Sequence, residues 1–245
     1  MKLCISLANM TVGIEHRYGY LSKLCEDYLA PEGAEPLFTV EPTREELDAE
    51  GALSQPRLPD AYLESVVAYR KIAEQLPFHG AAVFHGAVVV LDGRAYAFTA
   101  RSGVGKTTHL RLWLRAFGAR AYVLNGDKPV LLWRDGRAYI CGTPWKGKEN
   151  LGEGGILPLS GIGFLHRGEK NEAHPLAAAD ALSAFLLQVY MPKNGAALME
   201  TMSLCDRVLR SVPLLSMHCN MEIEAALVTE QGFRALELKK QGEIK

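Results

Sequence analysis

The stretch AYAFTARSGVGKTTHLRLW, residues 95–113, decides the fold. Its apolar first part, Ala95 to Ala100, has the composition of a β-strand, and an amphipathic helix is predicted to begin at Thr107. Between them Gly103 and Gly105 permit a tight loop, because glycine adopts backbone angles that other residues avoid. A strand, a glycine-rich loop ending in Lys-Thr-Thr and a helix, in this order, indicate a phosphate-binding loop.

The chemistry of such a loop gives each residue type a role. Backbone N–H groups and the positive helix N-terminus bind phosphate oxygens, a lysine reaches the β- and γ-phosphates, and a hydroxyl binds Mg²⁺. Lys106 and Thr107 stand at the last two positions. Ala100 replaces the usual first glycine, so we expect a slightly wider first turn; the alternative is a strand-to-helix turn with an incidental lysine. The predicted ligands are ATP, or another nucleoside triphosphate, and Mg²⁺. The predicted nucleotide contacts are Ser102, Gly103, Val104, Gly105, Lys106, Thr107 and Thr108.

The strands around this loop are predicted to form tight hairpins. Asp92-Gly93 joins the β-rich run Ala81 to Leu91 to the strand before the loop, and this dipeptide suits the positive φ angles of a two-residue turn. Asp135-Gly136 has the same position between Val130 to Trp133 and Ala138 to Cys141. Hairpins leave no room for crossover helices. The sequence therefore predicts an α/β fold with a mixed, largely antiparallel sheet around the loop.

The rest of the chain suggests two parts. Residues 1–76 are predicted to form a small N-terminal α+β region that ends in a helix over residues 60–76, where apolar residues recur at helical spacing. Residues 77–245 are predicted to form the main domain. From Ala178 onward its pattern is helical, and we expect a C-terminal helical layer. The strand-like runs of the N-terminal region are Leu3 to Leu7 and Leu37 to Val40.

Composition limits the partners. The chain has 245 residues with 27 Lys plus Arg against 28 Asp plus Glu, so no overall field attracts nucleic acid or an anionic membrane, and neither partner is expected. Its five cysteines are scattered without a C-x-x-C pair, which favours reduced thiols. No signal peptide or membrane span is recognisable. We therefore expect a cytoplasmic protein; a homo-oligomer is compatible with the sequence.

A second polar cluster follows the loop helix. The segment AYVLNGDKPVLLW, residues 121–133, places Asp127 at the end of an apolar run. A carboxylate there could bind Mg²⁺ directly or through water. The alternative is a simple N-G-D turn. The predicted metal ligands are therefore Thr107 and Asp127.

With these motifs the chain resembles the HPr kinase/phosphorylase family, within the superfamily that also holds the ATP-dependent phosphoenolpyruvate carboxykinases. The resemblance covers about Phe84 to Phe164. It rests on FHGAVVVLDGRAYAFTARSGVGKTT, residues 84–108, which is similar to the family's order of His-Gly, strand, turn, strand and loop. NGDKPVLL, residues 125–132, stands in place of its acidic strand.

The resemblance implies roles for individual residues. His85 corresponds to the family's histidine at the start of the hairpin that carries the loop. Without the resemblance, a lone histidine in an apolar strand is more often a hydrogen-bonded core residue than a catalyst. Lys106 and Thr107 correspond to the phosphate and magnesium residues. Asp127 corresponds to the second of two adjacent aspartates, and Gly126 replaces the first. The family draws its proton acceptor from that pair, so Asp127 would have to serve as both metal ligand and base.

A third segment, GTPWKGKENLGEGG, residues 142–155, lies where the family has its catalytic loop. Glycines and charged residues suit a loop that closes over a substrate. Glu149 is the second candidate base, and Lys148 is a candidate for charge stabilisation. The family's Arg-Gly element is absent, and the alternative is an ordinary solvated turn.

These motifs lead to three functional hypotheses. The preferred one is an ATP- and Mg²⁺-dependent kinase that transfers the γ-phosphoryl group to a hydroxyl, serine first of all, of a peptide, small protein or metabolite. The second is a nucleotide-binding module that organises a partner protein without turnover, as the replaced aspartate suggests. The third is simple nucleotide hydrolysis.

Overall fold

A computed structural model of the chain describes residues 1–242. The predicted main domain, 77–245, extends beyond this range, and its last three residues lie outside the described part. The strands are β1 (Lys2–Leu7), β2 (Met10–Glu15), β3 (Phe38–Val40), β4 (Ala81–Val83), β5 (Ala87–Leu91), β6 (Arg94–Thr99), β7 (Ala121–Asn125), β8 (Val130–Arg134), β9 (Arg137–Cys141), β10 (Ile156–Arg167), β11 (Glu172–Pro175) and β12 (Leu214–Cys219). The helices are α1 (Gly19–Leu24), α2 (Arg44–Gly51), α3 (Asp60–Gln75), α4 (Lys106–Phe117), α5 (Ala178–Leu186), α6 (Gly195–Ser211) and α7 (Glu224–Gly242). None of these helices is long and apolar enough to cross a membrane.

The N-terminal residues form a sheet of their own, in the order β1-β2-β3. β1 and β2 are an antiparallel hairpin, and β3 lies parallel to β2. β2 was not among the predicted strands. Thr43 begins α2 with a capping box: its hydroxyl accepts the Glu46 N–H, and the Glu46 carboxylate accepts the Thr43 N–H. α3 begins at Asp60 as predicted.

The second sheet has nine strands and is mixed, largely antiparallel, which confirms the predicted sheet type. Its strand order is β4-β8-β9-β10-β6-β5-β7, with β12 beside β10 and β11 beside β12. Within the described part of this sheet, only β6, β10 and β12 pair in parallel. The long strand β10 pairs with β9 through its first residues and with β12 through its last, so the sheet curls at β10.

Both predicted hairpins are present. β5 and β6 pair antiparallel around Asp92-Gly93, and β8 and β9 pair antiparallel around Asp135-Gly136. In each turn both residues have positive φ: 49° and 77° in the first, 49° and 74° in the second. Aspartate enters this left-handed region more readily than most residues, and glycine adopts it without cost.

Two details of the strand prediction are wrong. The run Ala81 to Leu91 is broken into β4 and β5, which pair with different strands, and Phe84 to Gly86 lie between them. A Cβ on Gly86 would lie 2.4 Å from the Phe84 ring, so this break requires glycine. The acidic strand is likewise broken: β7 ends at Asn125 and pairs with β5, whereas β8 starts at Val130 and pairs with β4 and β9.

The C-terminal part is also not purely helical. α5, α6 and α7 are present, but β12 stands between α6 and α7 and extends the parallel part of the sheet. Its sequence, LLSMHC, is a short apolar run whose partner β10 lies about fifty residues earlier in the chain. The correction matters because β12 ends beside the glycine-rich loop.

Helices cover both faces of the large sheet. α5 and α6 pack on one face and α4 and α7 on the other, so every residue of β5 is buried. Trp113 of α4 is fully buried against the rings of Tyr96 and Phe98 of β6. Burial of an indole on this scale contributes a few kcal/mol. The loop between β6 and α4 is therefore held by a rigid strand and a rigid helix.

Candidate functional site

One edge of the large sheet brings the predicted residues together. The carboxyl ends of β6, β7, β10 and β12 meet the amino end of β5 there. Along the order β7-β5-β6-β10-β12, the residues just beyond or at the strand ends are Asp127, His85, the loop 100–105, Arg167 and Asn220. We call this the loop edge. Ligands of open α/β sheets bind at the carboxyl ends of parallel strands.

The loop 100–105 leads into an open helix N-terminus. Gly103 and Gly105 have φ of 79° and 129°, angles that a side chain would strain. Helix α4 begins at Lys106, and no side chain among residues 1–242 caps it. Its first-turn N–H groups are thus free to bind an anion. Of the predicted nucleotide contacts, Ser102, Gly103, Val104 and Gly105 lie in the loop, and Lys106, Thr107 and Thr108 form the first turn of α4.

Lys106 folds back over the loop that precedes it. Its Nζ donates to the Ala100 carbonyl at 3.0 Å. Burial lowers the pKa of Lys106; the positive charge of Lys128 lowers it further, and the negative charge of Asp127 partly offsets both. The ammonium group is thus held in a half-buried site close enough to Asp127 to interact electrostatically with it.

Each carboxylate oxygen of Asp127 has a nitrogen neighbour. Its Oδ1 lies 3.3 Å from His85 Nε2, and its Oδ2 lies 3.5 Å from Lys128 Nζ. Burial by itself raises the pKa of Asp127, but the hydrogen bond from His85 and the charge of Lys128 outweigh it, so the net shift is downward. The carboxylate is therefore ionised at neutral pH. His85 thus contacts Asp127 at the loop edge.

The turn that carries Asp127 is built by Asn125. Its buried side chain accepts hydrogen bonds from the N–H groups of Asp127 (3.0 Å) and Lys128 (2.8 Å). The amide nitrogen donates to the carbonyl and hydroxyl oxygens of Thr143. The Thr143 hydroxyl in turn donates to the Lys128 carbonyl at 2.7 Å. This network fixes the backbone on both sides of Asp127.

Gly126 is explained by close packing against residues 142–155. Its N–H donates to the Leu151 carbonyl, and a Cβ at Gly126 would lie 3.1 Å from the carbonyl oxygens of Lys146 and Leu151. Gly147 approaches from the other side: its Cβ would lie 2.8 Å from the Asp127 Cβ. A side chain at Gly126 would therefore require the Lys146 and Leu151 carbonyls to move by a few tenths of an ångström.

Glu149 and Lys148 lie apart from this network. The Glu149 carboxylate pairs with Arg111 of α4 at 2.5 Å, and both side chains are more than half exposed. Lys148 is exposed, and within residues 1–242 it makes no hydrogen bond or ion pair. The structure thus brings Asp127, His85 and Lys106 together and leaves Glu149 and Lys148 on the surface beside them.

The N-terminal region supports the segment 142–155. The Trp145 ring packs on Tyr69 of α3 with ring centroids 4.4 Å apart, and its Nε1 donates to the Ser65 carbonyl. Lys146 lies over the Tyr28 ring and pairs with Asp27 at 3.5 Å. Residues before the large sheet therefore position the segment that packs against Asp127.

Comparisons with known proteins add a distant structural relationship. No protein-family profile matches the chain, and no curated protein sequence matches it. Among solved structures, the Hpr(Ser) kinase/phosphatase from Coxiella burnetii is similar, with 12% sequence identity and a TM-score of 0.40 over 66% of this chain and 93% of that chain.

Three residues at the loop edge were not predicted from the sequence. Lys128 follows Asp127 directly, and its place in N-G-D-K could have indicated it. Asn125 opens the same turn, where asparagine commonly bonds the backbone two residues on. Arg167 donates to the carbonyls of Gly103 (2.5 Å) and Val104 (3.3 Å), and no local pattern signals it because the contact joins two distant segments.

Proposed function

We propose that this protein is an ATP- and Mg²⁺-dependent kinase that transfers the γ-phosphoryl group to a hydroxyl of a peptide, small protein or metabolite. The observation that carries the proposal is the position of Lys106. Its half-buried ammonium lies at an uncapped helix N-terminus and interacts electrostatically with the ionised Asp127 beyond the end of β7. An anion site next to a fixed carboxylate is the arrangement that phosphoryl transfer requires.

The chain's own groups explain how a triphosphate would be held. The first-turn N–H groups of α4 and the helix dipole favour phosphate oxygens at the loop. Lys106 would exchange the Ala100 carbonyl for a phosphate oxygen, which is a stronger, charge-assisted hydrogen bond. Desolvation of Lys106 is already present before binding, so the new ion pair forms in a site of reduced dielectric constant.

The residues also fit a magnesium ion. Mg²⁺ prefers oxygen ligands and commonly takes one or two protein oxygens beside those of the phosphates. Thr107 offers a hydroxyl in the first turn of α4, and Asp127 offers an ionised carboxylate. When bound there, the ion would neutralise charge that spreads over the transferred group.

Asp127, positioned by His85, is the group best placed to accept the proton of the attacking hydroxyl. Asp127 is ionised and can accept a proton from an attacking hydroxyl, and His85 at 3.3 Å holds its Oδ1 in place. The Asn125 turn fixes the backbone, so the carboxylate does not have to be ordered during the reaction. Glu149 would serve as base only after leaving Arg111.

One observation favours the second hypothesis, a nucleotide-binding module without turnover. Both oxygens of Asp127 have nitrogen neighbours, His85 Nε2 and Lys128 Nζ, and no second carboxylate stands at Gly126. A carboxylate whose pKa is lowered by such contacts is a weak base. The kinase hypothesis requires that Lys128 releases Asp127 when nucleotide and metal bind.

The test combines binding with label transfer. We expect the full-length protein to bind ATP and inorganic tripolyphosphate, and Lys106→Ala to weaken both by about tenfold to a hundredfold. Lys239→Ala, an exposed lysine on α7, is the matched control and should bind like the wild type. With γ-labelled ATP, Mg²⁺ and a library of serine-containing peptides, label should appear in peptide.

The other outcomes separate the hypotheses. Label released only as free phosphate would indicate hydrolysis, and tight binding with neither product would indicate the binding module. Equal ATP affinity of folded Lys106→Ala and Lys239→Ala would contradict the nucleotide site itself.

A further inference from the structure

A cavity opens at the loop edge on the side of the loop away from Asp127. It has a volume of about 500 Å³ and lies between the loop, the first turn of α4 and the ends of β10 and β12. The wall of this cavity that faces the loop contains none of the predicted nucleotide contacts and no residue of the turn that carries Asp127. That wall is formed by Arg167, Gly168 and the segment Cys219 to Met221.

The topology makes the two sides of the loop unequal. β6 runs parallel to β10 and β12 on one side, and on the other side it is followed by β5 and β7. The distance along the loop edge from β7 to β12 is four strand spacings, or about 19 Å. A ligand that places its terminal phosphate near Asp127 and its inner phosphates on the loop must extend toward β10 and β12.

A buried histidine in the cavity wall has an unused ring nitrogen. His109 is only 2% exposed, and Trp113 Nε1 donates to its Nε2 at 3.0 Å. Because an indole nitrogen can only donate, Nε2 must be unprotonated. The proton of the neutral ring is therefore on Nδ1. Nδ1 is buried and has no partner among the described residues.

The cavity wall combines polar and apolar groups. Arg167 at the end of β10 and Asn220 beyond β12 are polar residues of this wall, and Arg167 also donates to the Gly103 and Val104 carbonyls of the loop. Met221, at the mouth of the cavity, is 77% exposed. Such a wall, partly apolar with a few polar groups, is typical of small-ligand sites.

We infer that the nucleoside of the bound triphosphate lies in this cavity, between the loop and the ends of β10 and β12, so that the triphosphate crosses the end of β6 toward Asp127. The inference rests on the proposed function and adds a direction to it. The base occupies the β10–β12 side, and the acceptor approaches from the β5–β7 side. His109, whose Nδ1 has no partner among the described residues, lines the same cavity.

Affinities for ATP and tripolyphosphate test this placement, because tripolyphosphate lacks the nucleoside. Met221→Trp narrows the cavity mouth and leaves the loop unchanged. We expect this variant to bind ATP about tenfold more weakly than the wild type and tripolyphosphate equally well. Met199→Trp is the control: Met199 is 70% exposed on α6 and does not line the cavity.

Photolabelling with 8-azido-ATP gives a second, independent readout in the wild-type protein. Label that ATP displaces should be found in residues 165–168 or 219–221. Displaceable label confined to residues 142–155 or to the N-terminal region would overturn the placement, as would Met221→Trp binding that is unchanged or weakened equally for both ligands. If the wild type binds neither ATP nor tripolyphosphate, the proposed function itself fails, and the cavity inference fails with it.

Discussion

Two acidic residues near the loop edge, Asp127 and Glu149, differ in how the fold holds them. Asp127 stands on a turn whose backbone bonds to buried Asn125, and its carboxylate contacts His85 and Lys128. Glu149 stands in an exposed segment and has one exposed ion pair, with Arg111. The sequence presents both as candidate bases.

The difference indicates that position alone does not make a catalytic carboxylate. Exposed ion pairs contribute little, because solvent screens them and two long side chains must be ordered. A carboxylate fixed by buried hydrogen bonds is ordered before the substrate arrives. We therefore propose that Asp127 takes part in the chemistry and that the segment 142–155 packs over the turn that carries it.

A large effect is expected from the contact between the two regions. In Gly147→Ala the new methyl group would lie 2.8 Å from the Asp127 Cβ and must displace it. A displacement of about 1 Å at a reacting group can lower a rate by about 10²-fold. We expect such a loss of phosphoryl transfer in a variant that still folds.

Gly136→Ala is the control for that experiment. Gly136 has φ of 74°, close to the 78° of Gly147, but a Cβ there meets no atom within 4 Å. Both variants therefore bear the same backbone strain of about 1–2 kcal/mol. Equal transfer rates in the two variants would show that the packing of Gly147 on Asp127 is unimportant.

The next effect concerns stability. Asn125→Ala removes four hydrogen bonds from a buried turn and leaves backbone donors without partners, which should lower the free energy of unfolding by about 3 kcal/mol. Asn150→Gly, in the exposed segment, should change it by about 0.5 kcal/mol or less, since its φ of 49° is open to glycine. Urea unfolding of both variants measures this difference. Similar losses of unfolding free energy would show that the Asp127 turn is held no more firmly than the segment 142–155.

The smallest effect is a pH dependence. The folded-state pKa of Asp127 lies below its unfolded value of about 3.9, so ionised Asp127 favours the folded state above that pH. This contribution is lost as pH falls through the folded-state pKa. The unfolding free energies of wild type and Asp127→Asn are measured at neutral and at acidic pH. Acidification should lower the unfolding free energy of the wild type more than that of Asp127→Asn. A constant difference would mean that the carboxylate is not held as described.

The features predictable from the sequence are local ones. The hairpin turns Asp92-Gly93 and Asp135-Gly136 have their conformations set by the two residues themselves. β12 could not be predicted in the same way, because its six residues become a strand through pairing with distant β10. The break at Phe84 to Gly86 likewise depends on which strands lie beside it.

The site follows the same rule. Lys106 and Thr107 were predicted from the strand, loop and helix around them. The closeness of His85 to Asp127 depends on the pairing of β5 with β7, and the Glu149 ion pair depends on how residues 142–155 pack against α4. In the sequence, Gly126 stands out as the replacement of a carboxylate. In the structure, it is a position where the backbone of residues 146–151 comes close.

Single-turnover transfer from γ-labelled ATP, at several Mg²⁺ concentrations, tests the central claim most directly when Asp127→Asn and Glu149→Gln are compared. We expect Asp127→Asn to lose about 10² to 10³ in rate while it retains much of its ATP affinity, because the loop and Lys106 carry binding. Glu149→Gln should lose less than about tenfold. A near wild-type rate for Asp127→Asn, or a larger loss for Glu149→Gln, would contradict the account.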